Sequence, residues 1–139
     1  MFIRGYQNVN DTRYYVPVIV KSEALPRFRL DFLVDTGATR TQISWKDAIL
    51  VGINIRSLPK DESPYTSMAG TVAAYVLERC TLIFSSNLGK FDNPIAKLSV
   101  SDFVTTDGKP CPILPSVLGI DILSTFDILF EGVYAFLRL

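Results

Sequence analysis

The chain has 139 residues, of which 48% are hydrophobic, and its 14 Lys and Arg residues balance its 14 Asp and Glu residues. This length is typical of one domain, and the apolar fraction supports a core without disulfide bonds. We therefore expect residues 1–139 to form a single domain. Because zero net charge provides no field for a phosphate backbone or an anionic surface, we expect neither nucleic acid nor a membrane as a partner.

Two further features of the composition narrow the function. The opening segment MFIRGYQNVNDTRYY is interrupted by charged and amide side chains, which fits neither a signal peptide nor a membrane span, so we expect a cytoplasmic protein. Cys80 and Cys111 do not form the spacing of a disulfide framework or a zinc site. The chain has no histidine, which excludes His-dependent triads and most catalytic zinc sites.

Short segments rich in Val, Ile, Phe, Tyr and Leu alternate with Gly, Pro and Asn, a pattern that predicts a mainly β fold with two short helices. In chain order, the predicted elements are strands 14–21 and 28–34, a helix at 45–51, a hairpin of strands 64–68 and 71–77, strands 80–85 and 95–100, a helix at 120–124, and a hairpin of strands 128–130 and 133–137.

Local signals support the first helix and the two hairpins. Ser44 and Asp47 resemble a capping box at the start of the first helix, and Gly52 is placed to end it. The dipeptides at 69–70 and 131–132 each contain a glycine, which tolerates the positive φ of a two-residue hairpin turn.

The segment FLVDTGATRTQIS, residues 32–44, runs from an apolar strand directly into Asp35. A carboxylate at the end of a buried strand is costly to ionise unless hydrogen bonds or a function compensate, so Asp35 is a candidate catalytic residue. Asp-Thr-Gly alone also fits an ordinary turn. A second segment, VLGIDIL at 117–123, places two apolar residues before Gly119 and a short helix, which also fits a buried strand with a glycine bend.

Together, in this order and with a glycine-tipped hairpin between them, the two segments resemble the retropepsin family of aspartic peptidases. The resemblance spans about 14–130. It implies a mainly β, single-lobe fold, a closed β-barrel or sandwich with a flap hairpin and one or two short helices. It also implies that Asp35 is the catalytic residue and that Thr36, Gly37 and Ala38 support it. Thr36 would bond across a dimer axis, and Gly37 would let two backbones approach.

The resemblance extends to the substrate-binding segments. The segment at 67–76 resembles the flap, which would contact substrate through the main chain near Met68, Ala69 and Gly70. The family's apolar-apolar-Gly signature, which packs beneath the active-site loop, matches Val117, Leu118 and Gly119, and Val117 would line the substrate pocket.

The segment after Ala38 departs from the viral pattern, because Thr39 and Arg40 replace the acidic residues that bind the substrate main chain in viral members. Subsite preference therefore does not transfer. The resemblance brings this segment close to the second helix, which predicts a salt bridge between Arg40 and Asp121.

Only one Asp-Thr-Gly occurs in the chain, so a paired active site requires a homodimer with one Asp35 from each copy, acting on peptides without a metal or an organic cofactor. The apolar end at 133–139 is predicted to be an open strand edge that the partner covers.

Two alternatives remain open. One is a catalytically silent dimeric peptide-binding module of the same fold. The other is a small β-barrel that binds single-stranded nucleic acid, prompted by Tyr14, Tyr15, Phe28 and Phe32, although such sites pair aromatic residues with a basic groove. The balanced charge argues against this second alternative.

Overall fold

The computed structural model describes residues 1–61, 65–67, 70–72, 74–103, 107–109 and 111–139. The strands are β1 (Phe2–Gln7), β2 (Tyr14–Lys21), β3 (Phe28–Val34), β4 (Gln42–Ile43), β5 (Tyr65–Ser67), β6 (Gly70–Val72), β7 (Ala74–Ser86), β8 (Gly89–Ser101), β9 (Val117–Leu118), β10 (Asp127–Glu131) and β11 (Tyr134–Arg138). The helices are α1 (Trp45–Leu50) and α2 (Ile120–Leu123), and a 3-10 turn spans Ile55–Ser57. The predicted mainly β class is confirmed.

Both predicted helices are present, and each ends one residue earlier than expected. Ser44 is extended at the N-terminus of α1, where its hydroxyl accepts a hydrogen bond of 3.3 Å from the Asp47 amide. Gly52 follows the helix at φ 83°, a left-handed conformation that glycine adopts without steric cost. None of the helices in the described residues is long and apolar enough to cross a membrane.

One nine-stranded sheet contains most of the strands, in the order β10-β11-β1-β2-β3-β9-β4-β8-β7. Strand β7 also pairs with β1 and β2, so the sheet folds back on itself and encloses the core. Alternation along β2 buries Val16, Val18 and Val20, which pack in one cluster with Phe32 of β3 and Phe84 of β7. Full burial of such a side chain contributes about 1.5–3 kcal/mol.

The long strand β7 joins the later part of the predicted strand 71–77 to the predicted strand 80–85, while residues 71 and 72 belong to β6. Glu78 and Arg79 interrupt the apolar pattern between them, and both are exposed in the structure. The main chain nevertheless continues its pairing with β8, from Leu77 opposite Leu98 to Cys80 opposite Ile95. The polar pair therefore marks an exposed part of one strand and not a break in it.

The strand pairing does not match the predicted position of either hairpin turn. Ser67 pairs with Gly70 in the β5–β6 hairpin, so Gly70 belongs to strand β6, and the predicted turn at 69–70 is wrong; residues 68 and 69 lie outside the described residues. At the second hairpin, Glu131 pairs with Tyr134. The connecting residues are therefore 132–133 and not 131–132.

The C-terminal segment 133–139 is not an open edge, and that prediction is wrong. Strand β11 lies between β10 and β1, with Leu137 opposite Ile3 of β1. Strand β1 was not predicted, because its polar residues obscured the alternation of buried and exposed side chains. In the structure Ile3 is buried between the exposed Phe2 and Arg4. The end of the sheet beyond β11 is formed by β10.

The burial of β11 predicts a large effect for one leucine and a small effect for another close to it in the chain. Leu137 is fully buried and Leu139 is 57% exposed. We expect Leu137→Ala to lower the free energy of unfolding by about 2–5 kcal/mol, because it leaves a cavity in the core. The matched control, Leu139→Ala, should change it by less than about 0.5 kcal/mol. Denaturant titration measures both, and equal effects would contradict the interior position of β11.

Candidate active site

The candidate catalytic residue lies where two parallel strands end side by side. In the pairing of β3 with β9, Leu33 is opposite Val117 and Val34 is opposite Leu118. The Asp35 amide then donates a hydrogen bond of 3.2 Å to the Leu118 carbonyl oxygen. Asp35 is therefore fixed at the carboxyl end of β3, next to the apolar-apolar-Gly segment.

After β9 the chain passes directly against the loop that follows Asp35. A Cβ built on Gly119 would lie 2.5 Å from the carbonyl carbon of Arg40, closer than non-bonded atoms approach. The Ile120 amide donates a hydrogen bond of 2.8 Å to the Ala38 carbonyl oxygen. Only glycine fits at position 119, because the neighbouring atoms are main chain and cannot turn away.

A second set of hydrogen bonds holds the same two segments together, the loop after Asp35 and the start of α2. The buried Thr41 hydroxyl accepts a bond of 2.9 Å from the Gly119 amide and donates one of 2.7 Å to the Asp121 carboxylate. That carboxylate also accepts a bond of 2.9 Å from the Thr41 amide. Asp121, in the first turn of α2, therefore fastens the helix to the loop.

The predicted salt bridge between Arg40 and Asp121 is wrong. The Arg40 guanidinium contacts Asp61, with 2.9 Å between Nη1 and Oδ2, while Asp121 binds Thr41. Asp61 lies at the base of the segment that leads to the β5–β6 hairpin, where its amide donates a bond of 2.8 Å to the Ala74 carbonyl oxygen. Arg40 thus connects the loop after Asp35 to the base of that hairpin.

The Asp35 carboxylate is held by its own turn. Its Oδ1 accepts a hydrogen bond of 3.0 Å from the Gly37 amide, and the Ala38 amide donates one of 3.2 Å to the Asp35 carbonyl oxygen. A Cβ on Gly37 would lie 3.3 Å from Oδ1, so a larger residue would crowd the carboxylate. Asp35 is half-buried, and Thr36 and Gly37 are exposed.

A cavity of about 510 Å³ lies beside Asp35. Its apolar wall includes Leu33, Leu114 and Val117, and Asp35 forms part of its polar surface. The other lining residues are Arg13, Gly37, Ala38, Thr39, Arg40, Gln42, Ser44, Ser101 and Pro115. The site can therefore hold an apolar side chain next to a carboxylate.

A small apolar cluster supports this wall from behind. Tyr15, Leu33 and Val117 are buried together, with Tyr6 and Ala38 packed against them. The Tyr15 hydroxyl donates a hydrogen bond to Asp11. Burial first, and then this hydrogen bond, raise the pKa of Tyr15 to about 12.

The structure brings some of the predicted site residues together. Asp35, Gly37, Ala38 and Val117 line one cavity. Leu118 and Gly119 are buried and hold the loop without reaching that space. Met68 and Ala69 lie outside the described residues, and Gly70 pairs within the β5–β6 hairpin.

Sequence reasoning missed the cavity residues that come from distant segments. Leu114 and Pro115 lie in the stretch PCPILPS, whose proline spacing indicates a rigid, extended segment and could have attracted notice. Ser101 ends β8 and Arg13 precedes β2. These two residues carry no local signal, because only the closed sheet brings them to the cavity.

Comparisons with known proteins add a structural resemblance. No family model matches the sequence, and no curated protein matches it. Among solved structures, a retropepsin-like aspartic protease from Rickettsia conorii superposes with a TM-score of 0.58 at 20% identity, covering 99% of this chain and 90% of that one. EIAV protease in complex with the inhibitor HBY-793 superposes with a TM-score of 0.51 at 16% identity, covering 85% and 91%. The chain therefore has the retropepsin-like fold.

The contact between Gly119 and Arg40 predicts a large effect for a single methyl group. We expect Gly119→Ala to lower the free energy of unfolding by about 3 kcal/mol, because main-chain atoms must move. Gly52→Ala is the control. Gly52 has a positive φ, but no atom lies within 4 Å of the added Cβ, so this substitution should lower the free energy of unfolding by only about 1 kcal/mol. Chemical denaturation of both variants tests this, and an equal cost would contradict the close approach.

Proposed function

We propose that the protein is an aspartic endopeptidase that acts as a symmetric homodimer, in which each copy supplies one Asp35. The observation that carries this proposal is the position of Asp35. Its carboxylate is fixed by the Gly37 amide at the edge of a cavity with an apolar wall. The retropepsin-like fold, shared with two aspartic proteases, supports the same chemistry.

The mechanism follows from the chemistry of paired carboxylates. Two carboxylates a few ångströms apart cannot both ionise, so they share one proton and titrate as a pair. The ionised member takes a proton from a water molecule, while the protonated member polarises the scissile carbonyl group. Attack by the water gives a tetrahedral diol. The carboxylate pair then passes a proton to the amide nitrogen and takes one from the diol, so that the C–N bond breaks and the amine leaves without a covalent enzyme intermediate. This scheme needs no metal or organic cofactor.

The substrate that fits the cavity is an extended peptide. Leu33, Leu114 and Val117 form an apolar wall next to Asp35, which favours a large apolar side chain beside the scissile bond. The β5–β6 hairpin would act as the flap and pair with the substrate main chain. The contact between Arg40 and Asp61 supports this role, since it links the base of the hairpin to the active-site loop.

The partner copy would bind at the β10 side of the sheet. Strand β10 ends the strand order, and Leu129 on it is 51% exposed. Next to it, the outward face of β11 and β1 carries Tyr134, Phe136 and Phe2, with Phe2 and Phe136 in edge contact at 5.6 Å. Within the part of the chain that the structure describes, β10 pairs on one side only. Such an edge beside partly exposed aromatic residues favours association, and a two-fold axis would use the same surface on both copies.

The catalytic role of Asp35 predicts the behaviour of its amide variant. Asp35→Asn should abolish peptide cleavage while the protein stays folded and dimeric, because the substitution keeps the size of the side chain but removes the acid–base pair. Asp92→Asn changes an exposed carboxylate and should retain full activity. Digestion of a peptide library by wild type and both variants measures this, with sedimentation as the check on assembly.

Residual cleavage of more than a few per cent in Asp35→Asn would contradict the mechanism. The alternative, a silent peptide-binding module, predicts that wild type binds peptides without cleaving them and that a statine-type inhibitor gains no affinity over its parent peptide. Two of the four aromatic residues that prompted the nucleic-acid alternative cannot stack on bases, because Phe32 is fully buried and Tyr15 is 8% exposed.

The proposed dimer surface predicts a charge-sensitive position on β10. Leu129→Lys should weaken association and lower specific activity at a given concentration, because it buries a charge in the contact. Leu50→Lys is the matched control: Leu50 is 77% exposed at the end of α1, away from β10 along the chain. Analytical ultracentrifugation with parallel assays over a dilution series tests both. Unchanged association of Leu129→Lys would refute this surface.

A further inference from the structure

The segment from Cys111 to Ser116 carries two outward apolar side chains beside the cavity. Ile113 is 77% exposed and Leu114, which lines the cavity, is 38% exposed. Residues 112–115 belong to no strand or helix. The segment is fastened at one end by the Cys111 amide, which donates a bond of 3.2 Å to the Phe103 carbonyl oxygen, and at the other end by Ser116.

Ser116 is fully buried, and its polar groups are all engaged. Its hydroxyl donates a bond of 2.7 Å to Asp47 Oδ2, and its amide lies 3.3 Å from the same oxygen. The hydroxyl oxygen accepts a bond of 3.0 Å from the Ser44 amide, and the Ser116 carbonyl oxygen accepts one of 2.8 Å from the Leu33 amide. Ser116 therefore joins the segment to α1 and to β3 at once.

Asp47 is the charged member of this network. Its side chain is only 13% exposed, and the Lys46 ammonium group lies 3.7 Å from Oδ1. Its own amide is held by the Ser44 hydroxyl. Hydrogen bonds to an ionised acceptor are about twice as strong as neutral ones. A largely buried carboxylate that accepts two bonds from one residue therefore makes a firm anchor for that residue.

We propose that Asp47 is a positioning residue that acts through Ser116 to hold Leu114 and Val117 at the apolar wall of the cavity. It thereby sets the preference of the site for large apolar side chains. The inference rests on the proposed peptidase function, because the cavity must be the substrate pocket. Asp47 does not touch the reacting atoms; its effect reaches them only through the position of the wall.

The anchor itself is tested by hydrogen exchange, without any assay of cleavage. Asp47→Ala should speed exchange of the Ser116 amide by about tenfold or more, because that amide loses its acceptor. Asp47→Asn keeps an acceptor oxygen and should restore slow exchange. Asp92→Ala serves as the control on an exposed site. Unchanged exchange in Asp47→Ala would overturn the proposal.

The role in selectivity is tested with two peptides that differ only in having Leu or Ala beside the scissile bond. Asp47→Ala should lower kcat/KM for the Leu peptide by about tenfold, mainly by raising KM. The same variant should change kcat/KM for the Ala peptide much less. If the Ser116 amide exchanges faster in Asp47→Ala but the ratio of kcat/KM for the Leu peptide to kcat/KM for the Ala peptide stays unchanged, the positioning role is refuted. If the wild-type protein cleaves neither peptide, the peptidase proposal is refuted. That result differs from unchanged exchange of the Ser116 amide in Asp47→Ala, which would refute the anchor alone.

Discussion

The backbone of Gly119 lies against the backbone of Arg40, where a Cβ would come within 2.5 Å of the carbonyl carbon. This close approach lets β9 run beside β3 and then turn under the loop that carries Asp35. The bonds from Ile120 to Ala38 and from Thr41 to Asp121 form only because the two backbones are already in contact. The position of the carboxylate thus depends on the absence of a side chain elsewhere in the chain.

Features set by neighbouring residues were predictable from the sequence. Strands β2 and β3 begin and end where their apolar runs do, and α1 begins after Ser44, whose hydroxyl binds the Asp47 amide. The residues Asp35 and Gly119 stood out because each follows an apolar run directly. These signals are local, since a strand end, a helix cap and a glycine bend are each encoded within a few residues.

The features that were not predicted join distant parts of the chain. Strand β1 pairs with β11 at the far end of the chain, and Arg40 contacts Asp61 although the helix that carries Asp121 also packs against its loop. The bond between Asp47 and Ser116 spans 69 positions. No local pattern in the sequence identifies these long-range partners, because the chain has several carboxylates that could accept from each donor. The folded sheet determines which carboxylate lies within reach.

The pairing of β1 with β11 has a consequence for how the molecule is made. Phe2 lies opposite Arg138 and Ile3 opposite Leu137, so the first described strand completes its main-chain pairing only when the last described strand is present. Contacts between such distant residues slow folding, because a long loop must close first. During synthesis the nascent chain therefore carries β1 unpaired on its β11 side until β11 has been made, and an unpaired strand edge is prone to aggregate during that time.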